Sequence, residues 1–306
     1  MKLKVVSRSG KELVAGGVDV DASGTVEDLS KAIYRAKPKL YPSRQRLTLP
    51  AEAGSKKPRV LEAGKKLSDY DINANSQVAF KDLGPQIGYK TVFFWEYFGP
   101  VLVYALIYSL PQFVYPWHRV VPKNKVQDLA LAYWSFHYTK RILETFLVHR
   151  FSHATMPIFN LVKNCSYYWG FAAYVAYFIN HPLYTAPPIE RAAPLFAFAL
   201  LCQAANFWCH ILLSRLRSPS GKGGYTIPRG FLFEYITCAN YFCEILGWLA
   251  FTAGTQTVAA GLFIAAGSFQ MALWAKAKHA RLRKIFDGKN GQLKYPKRWI
   301  MFPPVF

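Results

Sequence analysis

The chain has 306 residues, of which 52% are hydrophobic and 16% aromatic, yet its formal net charge is +21. Apolar and basic residues must therefore occupy different parts of the chain, and residues 1–90 hold 17 of the 38 Lys and Arg residues. The five cysteines form no CxxC pair and lie in or beside apolar segments, which argues against a disulfide or zinc framework.

The N-terminal stretch MKLKVVSRSGKEL lacks the apolar core and cleavage site of a secretory signal peptide. We therefore expect this end of the chain to lie in the cytosol. The first apolar span would then act as an uncleaved membrane signal.

Residues 1–83 show the pattern of a small α+β domain. KLKVVS, ELVAGGVDV, RQRLTL and QVAFKDLG are strand candidates, and TVEDLSKAIYRAKP has helical periodicity between Thr25, a plausible cap, and Pro38. This order of elements resembles a ubiquitin-like β-grasp fold. Its basic surface suits a position near anionic lipid head groups, and a merely solvated basic face is an equally good interpretation.

The sequence of residues 84–306 predicts an all-α polytopic membrane domain with a basic cytosolic tail. Six segments have the length and apolar character of transmembrane helices: 91–112, 126–148, 157–180, 192–214, 231–253 and 256–275. A cytosolic N-terminus places the loop RLRSPSGKGGYTIPRG and the basic tail in the cytosol, in agreement with the positive-inside rule. The loop from Trp117 to Lys125 disagrees, because it is basic and falls on the lumenal side.

The second predicted span contains the charged segment SFHYTKRILE. On a helix His137, Arg141 and Glu144 share one face, and Lys140 lies beside them. Such groups are costly in lipid and typically face a protein-lined cavity that serves function. The alternative is that Lys140 and Arg141 reach the membrane interface while Glu144 pairs with them. Glu96, within KTVFFWEYFGP, is a second isolated carboxylate.

Short cofactor motifs are mostly absent. The chain has no G-x-G-x-x-G in a strand-turn-helix context, and GKGGY lacks the spacing of a P-loop. The Gly-rich loop SGKGGYTIPRG, with Lys222 and Arg229, could hold phosphates or be a plain interhelical turn. His149 and His153 have the spacing of a di-iron motif, but the remaining histidines are scattered, so we expect no metal site.

Longer sequence motifs resemble those of a known protein family. GKGGYTIPRGFLFEYITCANYFCEILGW and the tail KAKHARLRKIFDGKNGQLKYPKRWIMFPPVF resemble the C-terminal signature of the steroid 5α-reductase family. GPQIGYKTVFFWEYFGP, SFHYTKRILETFLVHRFSHATMP and NHPLYT extend the resemblance over the whole chain to the very-long-chain trans-2-enoyl-CoA reductases of that family. The resemblance implies a multi-pass enzyme of the endoplasmic reticulum that uses NADPH to reduce the 2,3-double bond of enoyl-CoA in fatty-acid elongation. Implied partners are the condensing enzyme, ketoacyl-CoA reductase and hydroxyacyl-CoA dehydratase, with no nucleic acid.

The resemblance also implies roles for individual residues. Tyr138 would be the proton or oxyanion donor, Glu96 would orient it by a hydrogen bond, and Tyr241 is a rival donor. HARLRKIF departs from the paired histidines of steroid reductases, which leaves His279 open by one position. The residues implied or expected at the cofactor site are Lys140, Arg141, Glu144, Lys222, Gly224, Arg229, Asn240, Glu244, His279 and Arg283.

Two other classes remain open at this point. A steroid reductase or a methyltransferase on a related membrane scaffold would share the spans. A non-catalytic membrane adaptor that uses the N-terminal domain for docking would leave the charges of the second span unexplained.

Overall fold

The structure is a computed structural model that describes residues 1–7, 9–50, 58–151, 154–216, 225–289, 291 and 293–306. It is mostly helical, with a small sheet region at the N-terminus. The chain forms two compact units, Met1–Gly88 with Thr155–Asn160, and Tyr89–Ala154 with Leu161–Phe306.

The first unit is built on a five-stranded sheet and one α-helix. Its strand order is β2-β1-β5-β3-β4, in which β1 and β5 are parallel and the other pairs are antiparallel. A two-stranded antiparallel pair, β6 with β7, completes the unit. The elements are β1 Lys2–Ser7, β2 Val18–Asp19, α1 Val26–Ala36, β3 Gln45–Leu49, β4 Arg59–Val60, β5 Gln77–Asp82, β6 Gln86–Gly88 and β7 Thr155–Pro157.

Local sequence explains where α1 begins. Thr25 forms a capping box: its hydroxyl accepts from the backbone N–H of Asp28, and the Asp28 carboxylate accepts from the backbone N–H of Thr25. The predicted helix is thereby confirmed. The predicted second strand is shortened to β2, because Gly16 and Gly17 adopt positive φ angles that end extended structure.

The second unit contains seven α-helices among its described residues. Three of them, α2, α6 and α8, are long and apolar enough to cross a membrane. The helices are α2 Tyr89–Ser109, α3 Pro111–Val114, α4 Lys125–Leu147, α5 Phe159–Ile179, α6 Ile189–Arg215, α7 Ala239–Thr255 and α8 Val258–Ile285.

Helix α7 starts later than the predicted segment 231–253. The backbone N–H groups of Thr237 and Cys238 donate to the carbonyls of Trp299 and Ile300, so this stretch pairs with the C-terminal tail. Those N–H groups are therefore taken up outside the helix, which begins at Ala239. Helix α8 continues ten residues beyond the predicted end at 275, into the basic tail.

An aromatic core holds the helices of the second unit together. Trp134 on α4 contacts Trp248 on α7 and Phe263 on α8, and its indole N–H donates to the carbonyl of Pro100 on α2. Gly99 lies directly against the indole of Trp169 on α5, where a Cβ atom would collide with the ring. Close approach of the Trp169 indole to α2 therefore requires glycine at this position.

Candidate active site

A buried ion-pair network lies on the charged face of α4. Glu144 has 1% of its side chain exposed, and its carboxylate accepts from Lys140 over 3.1 Å and from Arg141 over 3.0 Å. The three side chains meet because residues three and four positions apart share a helix face. The two cations are themselves 10% and 15% exposed. The charged segment therefore faces the protein interior, as the helical spacing predicts.

Helix α6 supplies the polar partners of this network. Lys140 donates to the amide oxygen of Asn206 over 2.6 Å, and His210 lies 3.0 Å from the Glu144 carboxylate through Nδ1. Asn206 also donates to the backbone carbonyl of Asn240 over 2.9 Å, at the start of α7. One continuous set of polar contacts therefore joins α4, α6 and α7.

Tyr133 and His137, one to two turns earlier on α4, both contact the Gln203 side chain of α6. The side-chain nitrogen of Gln203 lies 2.8 Å from the Tyr133 hydroxyl and 2.9 Å from His137 Nδ1. His137 Nε2 then faces the Glu244 carboxylate at 4.0 Å. Since a neutral imidazole carries its proton on one nitrogen only, an acceptor role for Nδ1 leaves the proton on Nε2.

Tyr138 sits in a cluster of tyrosine rings. It is 1% exposed, and its ring centre lies 6.2 Å from that of Tyr97 and 6.3 Å from that of Tyr168. Tyr97 and Tyr168 are in contact at 5.7 Å. Among the described residues the Tyr138 hydroxyl has no hydrogen-bond partner, whereas the Tyr97 hydroxyl accepts from Arg141 over 2.9 Å.

Glu96 is buried on α2, next to Tyr97 in the chain. The hydrogen bond expected between Glu96 and Tyr138 is absent from the described part of the structure. Instead, the Glu96 carboxylate accepts from the side-chain amide of Asn164 on α5 over 3.1 Å. An amide donor on the neighbouring helix satisfies the buried acid in place of the phenol.

The residues expected from CANYFCE form the first turns of α7. Asn240 is 9% exposed, and its Oδ1 atom is buried without a hydrogen-bond partner among the described residues. Tyr241 is partly buried against the core of the helices. Glu244 lies within 3.5 Å of Asn206, which places it beside the α4 network.

A basic cavity of about 580 Å³ lies at the end of α8. His279 and Arg283 line it, together with Lys294, Lys297 and Arg298 from the C-terminal tail. His279 is held by the Thr237 hydroxyl, 2.7 Å from its Nδ1. The cavity therefore gathers four permanent cations and one acid, Asp287, beside the partly buried His279, and this excess of positive charge suits phosphate groups.

The Gly-rich loop is described only from Tyr225 onward. Lys222 and Gly224 lie outside the described residues. Arg229 is largely exposed and donates to Glu234 over 3.1 Å. The pKa of the Glu234 carboxyl is lowered first by the backbone N–H of Gly230 and then by Arg229. Arg229 therefore holds its own loop and makes no direct bond to the α4 network.

Three ligand-type side chains meet beside that network. Glu144, His149 and His210 offer atoms within 4.8 Å of one another. The Glu144 carboxylate is already engaged by Lys140 and Arg141, and two neighbouring cations oppose the binding of a divalent ion. This cluster has the chemistry of an ion-pair network. His153, the other histidine of the predicted di-iron spacing, lies outside the described residues.

Several site residues escaped the sequence analysis. Gln203, Asn206 and His210 follow i, i+3, i+7 spacing within the apolar helix α6, and this signal marks one polar face. Tyr97 carries no charge and stands among other aromatic residues, so the sequence contains no signal for it.

Comparison with known proteins places this site in a family. The sequence profile of the 3-oxo-5-alpha-steroid 4-dehydrogenase family matches residues 154–306. A very-long-chain enoyl-CoA reductase from Dictyostelium discoideum is 47% identical over 98% of each chain. A probable very-long-chain enoyl-CoA reductase from Caenorhabditis elegans is 42% identical over 91% of this chain and 90% of its own.

A relative from Homo sapiens has a lower identity and a related name. This trans-2,3-enoyl-CoA reductase-like protein is 36% identical over 88% of the present chain and 75% of its own. The chain therefore belongs to the very-long-chain enoyl-CoA reductase family and carries the 3-oxo-5-alpha-steroid 4-dehydrogenase domain in its C-terminal half.

Proposed function

We propose that the protein reduces the 2,3-double bond of very-long-chain trans-2-enoyl-CoA with NADPH and releases saturated acyl-CoA, the last step of a fatty-acid elongation cycle. The observation that carries this proposal is 47% identity over 98% of both chains to a relative named for that activity. The buried polar network of α4, α6 and α7 supplies the polar interior that such a reaction needs.

The residues present fit a dinucleotide phosphate. The unpartnered Oδ1 of Asn240 is a buried acceptor in need of an amide donor, such as a nicotinamide carboxamide. The cations of the cavity at the end of α8 suit phosphate groups, with His279 and Arg283 at its edge. Lys140, Arg141 and Glu144 would shape the inner end of the same site, with Glu244, while Lys222, Gly224 and Arg229 would contribute from the loop.

Bound NADPH would supply a hydride to the β-carbon of the substrate. Negative charge then develops on the thioester oxygen, and a positioned donor at that oxygen lowers the barrier. Tyr138 suits this role because its side chain is buried and its hydroxyl has no hydrogen-bond partner among the described residues, so the hydroxyl remains available to a ligand. Tyr241, on the first turn of α7, is the rival donor.

Glu96 would act on Tyr138 without touching it in this structure. Tyr97 connects the two residues, because it follows Glu96 directly in the chain and its ring centre lies 6.2 Å from that of Tyr138. The Glu96 carboxylate, held by Asn164, would orient the tyrosine cluster or meet the hydroxyl when substrate is bound.

The membrane arrangement is also part of the proposal. Helices α4, α5 and α7 would join α2, α6 and α8 as transmembrane spans, six in all, in the endoplasmic reticulum membrane. Both termini would then face the cytosol, where CoA and NADPH are found. Residues 1–83 would form the ubiquitin-like domain, for which a central parallel pair β1–β5 and one packed helix are support, and 84–306 the reductase domain.

Partners follow from the same activity. The condensing enzyme, the ketoacyl-CoA reductase and the hydroxyacyl-CoA dehydratase of the cycle must supply the substrate or consume the product, so we propose that they associate with this protein in the bilayer. A 3-oxo-steroid substrate is a second candidate, favoured by the family match over residues 154–306.

Reconstitution tests the two substrates side by side. The purified protein in lipid nanodiscs should convert long trans-2-enoyl-CoA to saturated acyl-CoA with NADPH and leave a 3-oxo-4-ene steroid unchanged. Reduction of the steroid alone would favour the second candidate, and a protein inactive on both would overturn the proposed reductase activity.

A further inference from the structure

The five-stranded sheet of the first unit has one face covered by α1 and one open face. The sheet residues that share a core with α1 are Leu3, Val5, Leu47, Val78 and Phe80. Because side chains alternate along a strand, Lys2, Lys4, Arg46 and Lys81 point to the opposite side, which we call the open face. The first three are exposed and Lys81 is half-buried. The open face therefore presents four cations.

Two of these cations lie directly opposite each other. Arg46 on β3 and Lys81 on β5 are partners in the antiparallel register, so their side chains leave the sheet about 5 Å apart on the same face. Like charges at directly opposite positions destabilise a sheet. The isolated unit thus contains a repulsion that an anion between the two side chains would relieve.

The described residues supply no such anion. Asp82 follows Lys81 but alternates to the other face, where it pairs with Arg44 over 2.6 Å. The two acids near the open face, Asp19 and Glu12, pair with β1 on the side away from β5. In the part of the chain that the structure describes, the Arg46–Lys81 pair is therefore open to an anion from another molecule.

We propose that the open face rests on a membrane surface that carries anionic lipid head groups. The chain holds the face close to a bilayer, because β5 ends at Asp82 and α2, which is long and apolar enough to cross a membrane, begins at Tyr89. The segment between them spans at most about 25 Å when fully extended. Basic clusters this close to a membrane helix are attracted to anionic lipid.

Two other states of the open face are less favourable. A merely solvated face leaves the repulsion between Arg46 and Lys81 uncompensated. An acidic protein segment offers the same charge as a lipid head group, but it must be recruited from solution, whereas the link to α2 keeps lipid within reach at all times. The charge pattern and the short link together therefore favour lipid.

Lysine footprinting of the full-length protein in nanodiscs tests the proposal without reference to enzyme activity. A neutral N-hydroxysuccinimide ester acetylates the amines, and mass spectrometry gives the rate at each lysine. One set of discs contains phosphatidylcholine, and the other also contains phosphatidylglycerol, which is anionic and has no amine. Lys31, exposed on α1 and thus on the other side of the sheet, is the internal reference.

Anionic lipid should slow the acetylation of Lys4 and Lys81 at least about threefold relative to Lys31, since each basic residue near such a surface favours contact about fivefold. High salt should abolish the difference, because it screens the charges. Equal ratios in the two kinds of disc would overturn the lipid contact and leave an acidic protein as the occupant to be sought.

A charge reversal provides the second measurement. Lys81→Glu places opposite charges across β3 and β5, so the melting temperature should be equal to or higher than that of wild type. In anionic discs this variant should lose most of the protection of Lys4. Lys37→Glu makes the same change at the exposed C-terminal end of α1 and should keep that protection. Protection of Lys4 that is lost equally in both variants, or in neither, would overturn the role of the open face.

Discussion

Arg141 donates to the hydroxyl of Tyr97 over 2.9 Å, and its guanidinium carbon lies 5.1 Å from the centre of the Tyr97 ring. A second nitrogen of the same guanidinium donates to Glu144 over 3.0 Å. One side chain thus connects the tyrosine cluster around Tyr138 to the ion-pair network of α4. The proposed donor and the proposed cofactor region are coupled through Arg141.

Arg141→Lys should disrupt this coupling although it preserves the charge. A lysine ammonium is compact and cannot reach Tyr97 and Glu144 with the fixed geometry of a guanidinium. We expect kcat/KM for enoyl-CoA to fall about tenfold or more, the loss of one hydrogen bond to a charged group. Steady-state kinetics of the protein in nanodiscs measure this kcat/KM. Arg119→Lys, at an exposed loop residue, is the control, and identical kinetics for the two variants would contradict the role of Arg141.

Tyr138→Phe should abolish most turnover and leave the fold intact. Within the described chain its hydroxyl makes no hydrogen bond, so its removal should change the free energy of unfolding by no more than about 0.5 kcal/mol. Loss of a proton donor typically lowers kcat by about 100-fold or more. NADPH binding, followed by fluorescence titration, should be unchanged.

Two further tyrosine variants provide a control and a test of the rival donor. Tyr174→Phe makes the same change on an exposed face of α5 and should keep full activity. Tyr241→Phe tests the rival donor. If Tyr138→Phe turns over normally and Tyr241→Phe does not, the donor role passes to Tyr241.

Gly99→Ala should destabilise the packing of α2 against α5. The added methyl group collides with the indole of Trp169, whose N–H donates to the carbonyl of Trp95 over 2.9 Å. Overpacking of this kind costs about 1–3 kcal/mol. Thermal unfolding in a mild detergent should show a lower melting temperature.

Gly170→Ala is the matched control for that change. Gly170 is also helical, and no atom lies near the position of its missing Cβ. Alanine is a better helix former than glycine, so this variant should be as stable as wild type or more stable. A lower melting temperature for Gly170→Ala than for Gly99→Ala would refute the steric explanation.

Arg283→Ala should weaken NADPH binding. Arg283 lines the basic cavity at the end of α8, and removal of one phosphate contact is expected to raise the Kd about tenfold. Arg281, two residues earlier, lies outside this lining and donates to the Tyr225 hydroxyl. If Arg281→Ala and Arg283→Ala have equal effects in a binding titration, the cavity does not hold the cofactor phosphates.

Local patterns in the sequence predict much of this structure. The Thr25 capping box begins α1, and the spacing of His137, Arg141 and Glu144 predicts the buried face of α4. Both features depend on residues within seven positions of one another. The length of the apolar segments likewise locates the long helices of the second unit to within a few residues at most ends.

Contacts between distant residues were beyond those patterns. The start of α7 depends on backbone bonds from Thr237 and Cys238 to the tail, about 60 residues later. Glu96 is paired with Asn164, where the family resemblance suggested Tyr138, because helix α5 brings an amide next to α2. Neither partner can be chosen from one sequence, since several polar groups on other helices compete for each buried acid.

Isotope tracing tests the central claim most directly. Wild-type protein in nanodiscs is given long trans-2-enoyl-CoA and NADPH that carries deuterium at both C4 positions, and the product is analysed by mass spectrometry with fragmentation. Hydride transfer to the β-carbon, followed by protonation from solvent, predicts one deuterium at C3 of the saturated acyl-CoA and none at C2. A product without deuterium at C3, or no saturated product, would contradict the assignment of this protein as an NADPH-dependent enoyl-CoA reductase.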